Sequence, residues 1–162
     1  FMADGYARAT GKVGVCVSIP GPGLTNMITG LAEARLDSSP VVAIVVGIAD
    51  DGKSHHIHEI EQLEVVKPSV KNVIKIRNTA EIPEAFQRAF EDARRGEPGP
   101  VVVEVDNQIL KESAHYESCR QTVNESVPQN AGRLKEIAQA LWNAGQCGIY
   151  AGKGAFPRYR SA

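Results

Sequence analysis

Two hydrophobic rhythms alternate along this chain. Val13-Gly14-Val15-Cys16-Val17-Ser18-Ile19 is a short β-branched run that reads as a buried strand, and Leu24, Met27, Ile28, Leu31, Ala32 and Leu36 then recur at helical spacing. Asp37-Ser38-Ser39-Pro40 breaks that helix, and Val41-Val42-Ala43-Ile44-Val45-Val46 follows as a run too apolar for a half-exposed strand. Strand, tight loop, helix and strand in this order make a βαβ unit, which builds parallel sheets. The rhythm then repeats. A short helix is expected over 60–66, a strand at Val73-Ile74-Lys75-Ile76, and an amphipathic helix over 84–95 with Ala85, Phe86, Ala89, Phe90 and Ala93 on its apolar face. Pro83 suits the first turn of that helix and Gly96 its stop, and Val101-Val102-Val103-Glu104-Val105 adds a further parallel strand.

The turn inside the first unit, Ile19-Pro20-Gly21-Pro22-Gly23-Leu24-Thr25-Asn26, sits at the carboxyl end of its strand, where open α/β sheets bind ligands. Its glycines permit unusual backbone angles and remove side chains from the path of an approaching molecule. Two readings stand at this point: a plain strand-to-helix turn, and a ligand wall. Neither the phosphate-loop pattern nor the dinucleotide Gly-x-Gly-x-x-Gly is present, because no Gly-Lys-Ser/Thr follows and Asn26 stands at the third glycine position. A second polar loop, Asp50-Asp51-Gly52-Lys53-Ser54-His55-His56-Ile57-His58-Glu59, leaves the end of the next strand.

Periodicity fades over 107–130, a polar stretch read as an interdomain linker, and returns over 133–144 as a helix with Leu134, Ile137, Ala138, Leu141 and Trp142 inward. The chain opens on what reads as the last turns of a helix, and closes on Cys147-Gly148-Ile149-Tyr150-Ala151-Gly152-Lys153-Gly154, a strand running into a glycine loop. Both ends therefore read as cut. Elsewhere, Tyr6 and Arg8 are expected to close a helix end, Glu33 and Arg35 to form a solvated helix face, and Asp37-Ser38 to turn the chain.

Composition narrows the function classes. With 18 Lys plus Arg against 19 Asp plus Glu in 162 residues, there is no basic surplus to draw nucleic acid or an anionic membrane. Cys16, Cys119 and Cys147 are odd in number and lack metal-ligand spacing, so neither a disulfide nor a metal site is expected and a reducing compartment is. The longest apolar run is too short to cross a bilayer, and no signal-peptide pattern opens the chain; a cytoplasmic location is the expectation.

Phe1-Met2-Ala3-Asp4-Gly5-Tyr6-Ala7-Arg8-Ala9-Thr10-Gly11-Lys12, then Gly21-Pro22-Gly23-x-Thr25-Asn26, Gly30-Leu31-Ala32 and Asp37-Ser38-x-Pro40-Val41-Val42-Ala43-Ile44, in that order, resemble the pyrimidine-binding domain of thiamine diphosphate enzymes of the acetolactate synthase group. The resemblance runs to about Val105, with Pro98-Gly99-Pro100-Val101 like that domain's last strand, and more weakly over 133–154 to the start of the family's central domain. It implies a three-layer doubly wound parallel sheet in a pyrimidine-binding domain at 1–106 lacking its N-terminal part. It also implies a linker at 107–130, and at 131–162 the truncated start of a Rossmann-like central domain that holds FAD in some members.

What the resemblance implies for chemistry is specific. Thiamine diphosphate lies between two subunits in this family, so a homodimer or tetramer is expected for the parent. Gly21, Pro22, Gly23 and Asn26 would face the aminopyrimidine, Pro22 as apolar and Asn26 as polar contact. Mg²⁺ and the diphosphate belong to a later domain, and the glutamate that activates the pyrimidine falls a few residues before the position of Phe1. The parent would join a two-carbon unit from a 2-oxo acid to an acceptor after decarboxylation, and the fragment alone would be inactive. Two alternatives remain: a 2-oxo acid or acyl-CoA decarboxylase, and a family-like subunit that binds without catalysis. Acetolactate synthases carry Phe-Gln-Glu where this chain has Ile57-His58-Glu59, a departure that puts a histidine at the glutamine position. Imidazole titrates near neutrality, so His58 is the candidate catalytic residue. The opposing reading is a solvated loop with no defined task, which is favoured for His55 and His56.

Overall fold

A computed structural model of the chain describes residues 1–48, 56–115, 130–148, 150 and 152. Contacts divide it into two compact units, 1–120 and 121–162. The first begins with helix α1 (Met2–Thr10), strand β1 (Gly14–Ser18), helix α2 (Pro22–Leu36) and strand β2 (Val41–Val46). A short helix α3 (Gln62–Val66) leads through a 3-10 turn to strand β3 (Asn72–Ile76), helix α4 (Ile82–Arg94) and strand β4 (Pro100–Val105). All pairings are parallel and the four strands lie in the order β1-β2-β4-β3. The α/β parallel sheet read from the hydrophobic rhythm is therefore the observed fold.

Helices cover both faces, giving three layers. On one face α4 lays Ala85, Ala89 and Ala93, with Phe86 and Phe90 partly buried, against Val42, Ile74, Ile76, Val101, Val103 and Val105. The spacing of four between the alanines puts them in one line, and their small size lets the helix approach the strands closely. On the other face Leu24, Leu31 and Ala34 of α2 and Val66 of α3 close over Val41, Ala43, Val45 and Val102, with Ala3 of α1 at the margin. Strands β2 and β4 are covered on both faces, which is why their sequences are nearly continuous valine, alanine and isoleucine.

One expectation needs correcting. Strand β1, read as buried, is an edge strand whose Val15 and Val17 are 46% and 68% exposed. The register pairs Val15 with Val42 and Val17 with Ile44, so both valines lie on the α4 face. Helix α4 packs chiefly on β2, β3 and β4 and leaves Val15 and Val17 uncovered. An apolar run alone does not reveal which strand stands at the edge.

Helix ends follow their sequence signals. Gly11 ends α1 in the left-handed conformation at φ 70°, and Pro22 and Pro83 occupy the first turns of α2 and α4. Arg8 does more than close a helix end: it bonds Asp4 at 2.9 Å, approaches Glu33 at 3.6 Å and pairs with Asp37, tying α1 to the end of α2. Glu33 is accordingly engaged, although its side chain remains half exposed. Asp4 is buried beside this cation. Burial pushes its carboxyl up, and the hydrogen bonds and charge of Arg8 outweigh that and hold it below the ordinary 3.8.

Beyond β4, a 3-10 turn over Asn107–Lys111 returns Ile109 to the core cluster beneath α4. In the second unit, helix α5 (Ala131–Asn143) starts at Asn130, whose side chain accepts from the Arg133 N–H. None of its described residues is buried. No described helix is long and apolar enough to cross a membrane.

Candidate functional site

The candidate site gathers at the carboxyl end of β1, β2 and β4, on the sheet face that carries α2 and α3. Gly21 precedes α2 and is buried at φ 60°, ψ −111°, a conformation that penalises any side chain. Its neighbour in space is the second polar loop. A Cβ placed on Gly21 would collide with the His58 carbonyl oxygen and come within 2.9 Å of the His58 Cβ. His58 itself is left-handed at φ 69°, one of two non-glycine residues with positive φ among those described. Two unusual backbone conformations thus lie against each other.

Sequence reasoning had singled out Gly21, Pro22, Gly23, Asn26 and His58. Pro22 and Asn26 stand one turn apart on α2 and are both exposed. The Thr25 hydroxyl donates to the Pro22 carbonyl of its own helix at 3.2 Å. Gly23 packs at the root of the loop, where an added Cβ would meet the Ile19 side chain at 2.7 Å and Ser18 Cβ at 3.3 Å. The Ser18 hydroxyl is buried and has no hydrogen-bond partner among the described residues. His58 presents an exposed side chain beside this loop while its backbone holds Gly21. Its turn is closed by the Glu59 N–H on the His56 carbonyl at 3.0 Å and by the His56 N–H on Glu59 Oε2 at 2.8 Å. His55 falls outside the described residues.

Two residues that sequence reasoning passed over organise the site from below. Gln62, first residue of α3 and buried, accepts from the Gly21 N–H at 2.9 Å through Oε1. Its Nε2 donates to Glu104 Oε2 at 2.6 Å and to the Val46 carbonyl at 3.2 Å. Glu104 is a buried carboxylate in a valine strand, and its Oε1 meets Lys75 Nζ of β3 at 2.7 Å. Lys75 and Glu104 are register partners on adjacent strands, so the ion pair crosses the sheet. Gly47 leaves room for it, since a Cβ there would stand 3.3 Å from the Glu104 carboxylate. A charge within a valine run is the signal that would have pointed here: such a group is costly to bury unless paired and hydrogen-bonded. Gln62 carries no such signal.

The arrangement suits a flat heteroaromatic group. A glycine-bordered loop admits close approach, Pro22 offers an apolar edge, Asn26 a donor and an acceptor, and the unpartnered Ser18 hydroxyl marks unmet polar demand at the loop's root. No group of three or more His, Cys, Asp or Glu that would hold a metal occurs among the described residues. Cys16 is partly buried and its thiol is pushed up by burial, which makes it a poor nucleophile.

Residues 1–65 match the family described as thiamine pyrophosphate enzyme, N-terminal TPP binding domain. The chain is 37% identical over 160 residues to the acetolactate synthase large subunit of Buchnera aphidicola subsp. Schizaphis graminum, a match covering 94% of this chain and 28% of that protein. It is 38% identical over 153 residues to the acetolactate synthase isozyme 2 large subunit of Escherichia coli K12, with the same two shares. It is 45% identical over 108 residues to a probable acetolactate synthase large subunit of Methanococcus aeolicus, covering 66% of this chain and 18% of that one. The matched chain thus spans between 18% and 28% of the length of these relatives.

Proposed function

We propose, from the match of residues 1–65 to the N-terminal TPP binding domain of thiamine pyrophosphate enzymes, that the chain is the cofactor-facing part of a thiamine diphosphate-dependent 2-oxo acid carboligase similar to acetolactate synthase. The observation that carries this reading is that the matched segment contains both loops of the site, Gly21-Pro22-Gly23 and His56-Ile57-His58, and that these two lock onto each other. On this reading residues 1–106 bind the pyrimidine, 107–130 link, and 131–162 open a central domain. FAD there and Mg²⁺ at the diphosphate are further parts of the proposal, as are a homodimer or tetramer and a cytoplasmic setting.

Thiamine diphosphate, when bound, supplies an electron sink for the pair released as a 2-oxo acid loses carbon dioxide. This chain's own residues do the rest of what is assigned to it. The bare backbone of Gly21 and Gly23 would let the aminopyrimidine come close, with Pro22 as its apolar contact and Asn26 as its polar one, which would fix the ring and exclude water from that side. The His58 imidazole holds or moves a proton at the substrate end.

The test uses the full-length polypeptide that carries this chain, supplied with thiamine diphosphate, Mg²⁺ and pyruvate. Acetolactate as product supports the carboligase; acetaldehyde without acetolactate favours a decarboxylase with His58 as its proton carrier; absence of any heat on titration with the cofactor favours a non-catalytic assembly or regulatory subunit. Asn is the replacement of choice at position 58, because it tolerates the left-handed backbone while removing the imidazole. His58→Asn is expected to lower kcat at least about tenfold with cofactor affinity unchanged. Unaltered turnover removes His58 from the mechanism.

A further inference from the structure

We infer that Gln62, oriented by the Glu104–Lys75 pair, is a positioning residue for the cofactor: it sets where the Gly21 loop stands above the sheet. The inference rests on the reading of that loop as the wall of a thiamine diphosphate site, and it goes beyond it by naming what fixes the wall.

The chemistry of the amide makes the assignment directional. A carboxylate and a backbone carbonyl only accept, so the Gln62 NH₂ must face Glu104 and Val46, and its oxygen must face the Gly21 N–H. The observed distances of 2.6, 3.2 and 2.9 Å fit that single orientation. One planar group therefore ties three pieces of the fold: the glycine loop after β1, the end of β2 and the end of β4. Glu104 locks the amide's orientation, because its other oxygen is taken by Lys75 at 2.7 Å. The tie ends on Gly21, the residue whose backbone also bears on His58.

Packing alone does not require this arrangement. Apolar side chains of similar volume commonly replace a buried ion pair without loss of stability. What an apolar set cannot do is hold one backbone N–H at a fixed height above the sheet, and a cofactor wall needs that height to be fixed.

The experiment uses the full-length polypeptide and three readouts: apoprotein melting temperature, thiamine diphosphate concentration at half-saturation with Mg²⁺ present, and KM for the 2-oxo acid. Gln62→Met keeps the volume and loses the hydrogen bonds. The expected result is about a tenfold rise in the half-saturating cofactor concentration, with KM unchanged and the apoprotein melting within a few degrees of the parent. Gln62→Glu sets a second carboxylate against Glu104 and is expected to weaken cofactor binding further. Combining it with Glu104→Gln exchanges the two groups, restores one donor between them and should return half-saturation to within about threefold of the parent. Should Gln62→Met not fold, the exchange pair decides alone. Parent-like cofactor affinity in Gln62→Met, or no rescue by the exchange, overturns the inference. Asn26→Ala separates the two levels: if it weakens cofactor binding while Gln62→Met does not, only the positioning role falls. If neither variant weakens binding, the cofactor reading of the loop falls with it.

Discussion

At the scale of single residues, Gly21 is the position where least can change. A side chain there meets two penalties, a left-handed φ and a collision with the His58 backbone. Gly21→Ala is expected to cost about 3 kcal/mol, read from denaturant unfolding, whereas Gly23→Ala should cost about 1 kcal/mol because its φ is not positive and its nearest obstruction is Cγ1 of the exposed Ile19 side chain, which can rotate away. Equal costs at the two sites would refute the steric account. Arg8 gives a pH-dependent case. Asp4 has a folded pKa below 3.8, so its pairing stabilises the fold above that value, and the contribution is lost as pH falls through the folded pKa. Arg8→Gln leaves a buried carboxylate without its cation and should cost about 1–2 kcal/mol near neutrality. The gap to the parent should then narrow as the solution is acidified below about pH 4, and a gap that widens there would contradict the assignment.

At the scale of elements, α2 is the part that turns a strand end into a site, and Leu24 is its anchor. This side chain is 1% exposed in the first turn, beneath the residues that carry Pro22 and Asn26. Leu24→Ala should destabilise by about 2–5 kcal/mol and weaken cofactor binding as well, since the cavity opens directly under the loop. Calorimetric unfolding with and without thiamine diphosphate checks both. The elements themselves were legible in advance because each has its own periodicity: every strand and helix of the first unit read from apolar spacing is present, with ends shifted by a residue or two. Pairing order was not legible. That β1 stands at the edge depends on strand pairing, and that its valines are uncovered depends on where α4 comes to rest, tertiary outcomes that the Val15 and Val17 positions do not encode. The site was half legible in the same sense. Glycine, proline and asparagine in a loop announce backbone geometry and exposed polarity, so Gly21, Pro22, Gly23 and Asn26 stood out. Gln62 lies in a stretch with no such mark, and only folding brings its amide to Gly21.

At the scale of the whole molecule, the proposed site between two subunits would make cofactor occupancy depend on assembly. For the full-length polypeptide, dilution through the range where the oligomer dissociates should release thiamine diphosphate, and fluorescence titration at several protein concentrations would reveal it. A half-saturation point independent of protein concentration across that range would mean that one chain suffices. The strand order has its own consequence. Strands β1 and β2 are joined by α2, β3 and β4 by α4, and the two halves meet where β2 pairs with β4, where α4 packs on β2 and where α3 closes beside α2. Short loops close first because chain entropy penalises long ones, so each half is expected to form early and their docking late. Gln62 bridges that late seam, touching Gly21 and Val46 on one side and Glu104 on the other. The recognition surface is thus the last thing to mature as the polypeptide folds, and a chain stalled with its halves apart would have no finished place for the coenzyme.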